Sequence, residues 1–122
     1  MNIGIVEDDA LIGSMLAEML ECFGHVPTVY NDGWTFLEAF TSSNQSISSK
    51  LFDVVILDML LPGRISGLEV ISYLHLTHPH LPLVVVSAIS SADLESIREQ
   101  FPGIKVLRKP FRLQDLRVSI EA

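Results

Sequence analysis

Apolar residues fall along this chain in two alternating styles: short, mostly continuous runs, and longer stretches in which they recur at helical spacing. The runs are Ile3–Val6, Val26–Tyr30, Val54–Leu57, Leu83–Val86 and Ile104–Leu107. Several of them are continuous stretches of valine, isoleucine and leucine stopped by turn residues, the pattern of a strand buried on both faces. Between the first two, Leu11, Met15, Met19 and Phe23 recur every fourth position with Ile12, Leu16 and Leu20 beside them. That spacing predicts a helix with one apolar face, capped by Asp9 and stopped by Gly24. After the Asn31-Asp32-Gly33 turn, Trp34, Phe36, Leu37 and Phe40 predict a second helix, with Trp34 packing at its start. Ser66 caps a third helix from Gly67, with Leu68, Ile71, Leu74 and Leu76 as core positions and Pro79 at its end. Ser90 followed by Asp93 has the form of a capping box opening a fourth helix through Gln100. Leu113, Leu116 and Ile120 give a short final helix.

Strands and helices thus alternate five times, which predicts an α/β fold: a parallel sheet with helices on both faces. Thr41 to Lys50 holds five serines, an asparagine, a glutamine and one apolar residue, Ile47. It reads as a solvated loop within one domain, because the sheet pattern resumes at Phe52.

The chain has 122 residues, one domain by length and large enough to bury a core without staples. A hydrophobic fraction of 48% argues against disorder, and a net charge of −7 argues against direct nucleic-acid binding. The single cysteine, Cys22, cannot form an internal disulfide and fits a reducing compartment. Met1-Asn2-Ile3 runs straight into a strand, so no signal peptide is expected, and no apolar run is long enough to cross a bilayer. The expectation is a soluble cytoplasmic domain, residues 1–122, that does not engage a membrane. His75, His78 and His80 flank a helix end and read as solvated, since no Cys or acidic residue is spaced to complete a metal site.

Polar residues stand at four strand ends: Glu7-Asp8 after the first, Asp58 after the third, Ser87 after the fourth and Lys109 after the fifth. In a parallel sheet these ends share one edge, the edge at which open α/β sheets bind ligands. Singly each has a bland reading as a loop or surface residue; together they form a constellation. The acids suit a divalent cation and Asp58 suits a phosphoryl acceptor. A carboxylate attacking a phosphoryl group is repelled by it, and Mg²⁺ between the acids and the phosphoryl oxygens removes that repulsion. Lys109 supplies a compact positive charge for one phosphoryl oxygen and Ser87 a hydroxyl for another.

Val6-Glu7-Asp8-Asp9, Ile56-Leu57-Asp58 with Pro62, Val86-Ser87-Ala88 and Lys109-Pro110-Phe111 together resemble the receiver domains of bacterial two-component response regulators, over Ile3 to Ile120. The resemblance implies a flavodoxin-like sheet of order 2-1-3-4-5. It implies that Asp58 takes a phosphoryl group from a phosphohistidine on a histidine kinase or phosphotransfer protein. It further implies that Glu7, Asp8, Asp58 and the backbone carbonyl of Leu60 hold Mg²⁺, and that Ser87 and Lys109 bind the transferred group. A separate protein effector and a homodimer through the fourth helix, fifth strand and fifth helix belong to the same implication. The chain reads as a single-domain regulator of the chemotaxis type, or as one truncated ahead of an output domain.

Two features depart from the family pattern. Four residues, not three, separate Pro62 from Gly67, and Val106 stands where many members carry a Tyr or Phe that moves on phosphorylation. Two other classes compete with the receiver reading. Aspartate-nucleophile phosphatases place a second acid two residues after the nucleophile, but here that position is Leu60, which argues against turnover. A degenerate receiver serving only as a docking module would not need the intact set Glu7, Asp8, Asp58, Ser87 and Lys109.

Overall fold

The computed structural model describes residues 1–43, 51–61 and 63–121. The expected Ser-rich loop therefore lies largely outside the described residues, as does Pro62. Five strands, β1 (Asn2–Val6), β2 (Val26–Tyr30), β3 (Val54–Asp58), β4 (Leu83–Ser87) and β5 (Lys105–Arg108), alternate with five helices. The helices are α1 (Ala10–Cys22), α2 (Gly33–Ser43), α3 (Gly67–Thr77), α4 (Ser91–Gln100) and α5 (Leu113–Glu121). The strands form one parallel sheet of order β2-β1-β3-β4-β5, the predicted flavodoxin-like arrangement.

The unbroken apolar runs are explained by burial on both sides. In β3, Val55 and Leu57 face a core built with Phe36 and Phe40 of α2, Val70, Ile71 and Leu74 of α3, and Leu94 and Ile97 of α4. Val54 and Ile56 face the other way, onto Leu16 and Leu20 of α1 and Leu116 and Ile120 of α5. The central strands therefore have no solvent face to mark with polar residues. Edge strand β2 is more open and contains Pro27, paired in register with Ile3.

Helix faces differ from the sequence expectation by part of a turn. In α1 the buried residues are Gly13, Leu16 and Leu20, while Leu11 and Met15 are exposed. Gly13 lets the helix approach Val29, where an added Cβ would stand 3.1 Å from a valine methyl. In α3, Val70, Ile71 and Leu74 are buried but Leu68 and Leu76 face solvent, so the inward stripe is one position over from the expected one. Trp34 does not pack at the start of α2; it is 55% exposed. His75 and His80 are exposed as expected, but His78 is half-buried with its ring edge-on to Phe40 at 4.6 Å. β5 begins at Lys105, one residue later than predicted.

The caps follow the sequence. Asp9 Oδ1 accepts the backbone N–H groups of Leu11 and Ile12, and Ser66 with Glu69 forms a complete capping box at α3. At α4, Ser90 Oγ accepts the Asp93 N–H, half of the expected box. Among the described residues, no helix is long and apolar enough to cross a membrane.

Candidate functional site

The sheet order brings the polar strand ends together. Asp58 closes β3 and lies in register with Val86, so Ser87 stands one residue further out on the neighbouring strand. Glu7 follows β1, anchored by its N–H donating to the Tyr30 carbonyl at 3.0 Å. Lys109 follows β5, and its backbone N–H donates to the Ser87 carbonyl at 2.9 Å.

Lys109 Nζ donates to Glu7 Oε1 at 2.7 Å and to Asp58 Oδ2 at 3.1 Å. Asp58 Oδ1 accepts the Leu60 N–H at 2.9 Å. Both Asp58 oxygens thus have donors, although the residue is only 8% exposed. Glu7 is more deeply buried, at 2%, and its Oε2 has no hydrogen-bond partner. Burial pushes its carboxyl up to about 7, helped by the neighbouring Asp58 and opposed by the Lys109 hydrogen bond. Burial pushes the Lys109 ammonium down, but the Glu7 and Asp58 carboxylates outweigh it and hold its pKa above the usual lysine value.

Asp8 is exposed and reaches the same volume: Glu7, Asp8 and Asp58 each offer a carboxylate oxygen within 4.8 Å of the others. Fully ionised, these three acids exceed the single Lys109 charge by two. An orphaned buried carboxylate oxygen inside an excess of negative charge fits a hard divalent cation, which takes oxygen ligands. The donor set present therefore suits Mg²⁺.

The remaining expected residues sit around this centre. Ser87 is fully buried, with its Oγ accepting the Ile89 N–H at 3.4 Å. The Leu60 side chain is 58% exposed and its backbone belongs to the turn leaving Asp58. Asp9, beside the acids, is committed to capping α1.

From the sequence, Gly67 reads as the start of a helix and as the glycine of the family's Pro–Gly spacing, with no packing role assigned to it. A Cβ there would lie 2.6 Å from Met59 Cα and 2.7 Å from the carbonyl oxygens of Asp58 and Met59. The missing side chain lets α3 press against the backbone that carries Asp58. A glycine directly after a serine cap, where a better helix former would cost nothing, was the available signal.

A family model described as response regulator receiver domain matches residues 3–121. The chain is 31% identical to the transcriptional regulatory protein QseB of Haemophilus influenzae, across all of this chain and 52% of that protein. It is 29% identical to the DNA-binding transcriptional regulator NtrC of Escherichia coli, across 96% of this chain and 23% of that protein. The chain thus spans about half, or less, of the length of these relatives. Among solved structures it is similar to a response regulator receiver domain from Clostridium thermocellum, with a TM-score of 0.81 and 27% identity, over 98% of this chain and 90% of that one. A CheY-like receiver from Methanospirillum hungatei superposes with a TM-score of 0.82 at 22% identity, covering 98% and 90% of the two chains, a likeness of fold.

Proposed function

The chain belongs to the response regulator receiver domain family, and on that premise we propose that Asp58 is its phosphoryl acceptor. The observation that carries the assignment is the convergence of Glu7, Asp58 and Lys109 at one sheet edge, with the Lys109 ammonium between the two carboxylates. In the proposed reaction a carboxylate oxygen of Asp58 bonds to phosphorus. The phosphorus–nitrogen bond of a donor phosphohistidine breaks, and the imidazole leaves with its electron pair. Glu7, Asp8 and Asp58, with the Leu60 carbonyl, are proposed to hold Mg²⁺. When bound, that ion offsets the negative charge shared by the acids and the incoming group and orients the attack.

The residues of the chain supply the rest. The Leu60 N–H fixes the rotation of the Asp58 carboxylate. Lys109, already extended into the acid cluster, is placed to turn its ammonium onto a phosphoryl oxygen. Ser87 offers a hydroxyl from the neighbouring strand. Leu60 itself carries no acid that could drive hydrolysis, so the chain is proposed to be modified once per donor and not to act as a turnover phosphatase.

A groove of about 390 Å³ runs between α1 and the segment after β5, lined by Ile12, Met15, Met19 and Phe111 and reaching Lys109. It is the proposed seat of the histidine-bearing donor, a kinase or phosphotransfer protein. The output is proposed to be a phosphorylation-dependent contact with a protein effector in the cytoplasm. Nucleic-acid binding, named in relatives at least twice as long, is not proposed for these residues, whose net charge is −7.

The test is intact-mass analysis after exposure to a small phosphodonor with Mg²⁺. Wild type should gain one phosphoryl group and Asp58→Asn none, with unchanged circular dichroism. Uptake by the Asn variant at the wild-type rate would sink the assignment.

A further inference from the structure

We propose that Gly33 is a positioning residue for the Asp58 site, acting through the turn between β2 and α2; this role rests on the acceptor reading above. The turn touches the site from two sides. Where it leaves β2, the Tyr30 carbonyl accepts the Glu7 N–H at 3.0 Å, which fixes the backbone of one proposed Mg²⁺ ligand. Where it enters α2, Gly33 lies against Ile65, in the connection from Asp58 to α3, and against Val70 of α3 itself.

The second contact leaves no room for a side chain. A Cβ on Gly33 would stand 2.9 Å from a Val70 methyl, 3.2 Å from an Ile65 methyl and 3.2 Å from the Ile65 carbonyl oxygen. Backbone conformation does not call for glycine here, because the φ angle of Gly33 is not positive. Helix propensity argues against it, since glycine is disfavoured relative to alanine in a helix. The close approach of α2 to α3 is the remaining reason for the residue.

That approach is linked to the acceptor by a second one. Val70 lies three residues after Gly67, whose own missing Cβ would stand 2.6 Å from Met59 Cα and 2.7 Å from the Asp58 carbonyl oxygen. The start of α2, the first turn of α3 and the end of β3 are therefore stacked without slack, and a close-packed interior transmits displacement. Two of the neighbours are firmly held. Val70 is fully buried, and Asp32 Oδ1 pins the start of α2 by accepting the Thr35 N–H at 2.7 Å. A methyl on Gly33 must then displace Ile65 or the first turn of α3, each joined to the backbone that carries Asp58. The Leu60 N–H, 2.9 Å from Asp58 Oδ1, would lose its alignment and the carboxylate its fixed rotation.

The test compares Gly33→Ala, Val70→Ala and the double variant with wild type. Amide spectra of the metal-free proteins give the direct readout. Gly33→Ala should shift the Met59 and Leu60 signals, and the double variant should return them toward wild type. Mg²⁺ affinity by calorimetry, and the initial rate of phosphoryl uptake from a small acyl phosphate, should each fall about tenfold in Gly33→Ala. Val70→Ala alone should lower the urea midpoint by opening a cavity, yet keep affinity and uptake within about threefold of wild type. The double variant should recover both to within about threefold while remaining less stable than wild type. A glycine with a merely structural role would make affinity follow stability. Wild-type affinity and uptake in Gly33→Ala, or a double variant no better than that single one, would overturn the proposal. Should Gly33→Ala not fold, the double variant must fold and keep wild-type affinity, or the proposal falls. Asp58→Asn, run alongside, separates the two readings. Phosphoryl uptake by that variant, or none by wild type, would sink the acceptor assignment, while the Mg²⁺ and amide measurements still decide on Gly33.

Discussion

The Lys109 ammonium stands 2.7 Å from a carboxylate oxygen of Glu7, a residue 102 positions earlier in the chain. They extend from β5 and β1, between which the sheet places β3 and β4. Three strand spacings amount to about 14 Å, so two long side chains must reach over the intervening strand ends to meet. Asp58, on β3, lies under that span and receives the same ammonium.

The burial of Glu7, which outweighs its pairing with Lys109, predicts an unusual pH dependence for the metal-free protein. An unfolded Glu7 ionises near 4.5, whereas the folded one keeps its proton to about 7. Between those values the native state binds the extra proton, so the stability Glu7 contributes is complete below pH 4.5 and declines as pH rises to about 7. The steepest loss is up to about 1.4 kcal/mol per pH unit. Glu7→Gln, which cannot ionise, should remove that decline. Urea midpoints measured from pH 5 to 8 in the presence of chelator check it, and identical slopes for the two proteins would count against it.

Gly67→Ala should damage the region around Asp58 more than a surface helix substitution would. The added methyl meets Met59 Cα and two carbonyl oxygens, all backbone, none of which can swing aside. Overpacking of this kind costs about 1–3 kcal/mol. Relief would require the turn carrying Asp58, Met59 and Leu60 to shift, so Mg²⁺ affinity and phosphorylation rate should fall together. Leu68→Ala, exposed one residue later on the same helix, is the control. Unchanged Mg²⁺ affinity in Gly67→Ala would mean that the approach of α3 does not position the site.

How much of this was legible beforehand differs by element. The strands were readable because β3 and β4 are buried on both faces, which makes each a short β-branched apolar run too brief for a buried helix. The site residues were readable because parallel strands share a ligand edge, so the position of Glu7, Asp58, Ser87 and Lys109 in the sequence implied their position in space. Helix orientation was not. In α1 the apolar residues cover a wide arc, and which part faces inward is decided by Gly13 meeting Val29, a contact between elements. The same holds for Val70 replacing Leu68 in the core, and for Trp34, whose size suggested burial that its position denies. The ion pair of Lys109 with Glu7 likewise depends on strand order, which periodicity along the chain does not encode.

The phosphorylated state should be long-lived. An acyl phosphate at Asp58, as proposed, would be lost when water attacks in line with the aspartyl oxygen. Leu60 and Ile89, two residues beyond Asp58 and two beyond Ser87, offer no group to orient that water. Ile89 is half-buried against the core below α2, α3 and α4, whereas Leu60 is exposed, so Ile89 is the more firmly held of the two. Leu60→Asn combined with Ile89→Glu should shorten the lifetime about tenfold, a change needing only about 1.4 kcal/mol of barrier. Phosphate release after donor removal, in excess Mg²⁺, gives the answer. Equal decay of wild type and double variant would show that these side chains do not set it.

Rearrangement on phosphorylation should stay local. Val106 packs against the core with no ring to relocate, and a polar link from β5 to α4 is the Arg108 guanidinium donating to Ser91 Oγ at 3.0 Å. Amide spectra with and without a phosphoryl mimic should change mainly over residues 87–91 and near Arg108. Large shifts throughout residues 104–120 would contradict this.

Pro27 has a consequence for how molecules of this protein can meet. Val26 donates its N–H inward to the Met1 carbonyl, so the next position in β2 directs its N–H side to the open rim of the sheet. There a proline has no hydrogen to offer. An incoming strand would find a gap in the ladder at the second residue of β2, on the longer of the two rims. Head-on growth of the sheet from one molecule into the next is thereby interrupted, and crowding of the chain, in a cell or in a concentrated sample, has one less route toward fibrous assembly.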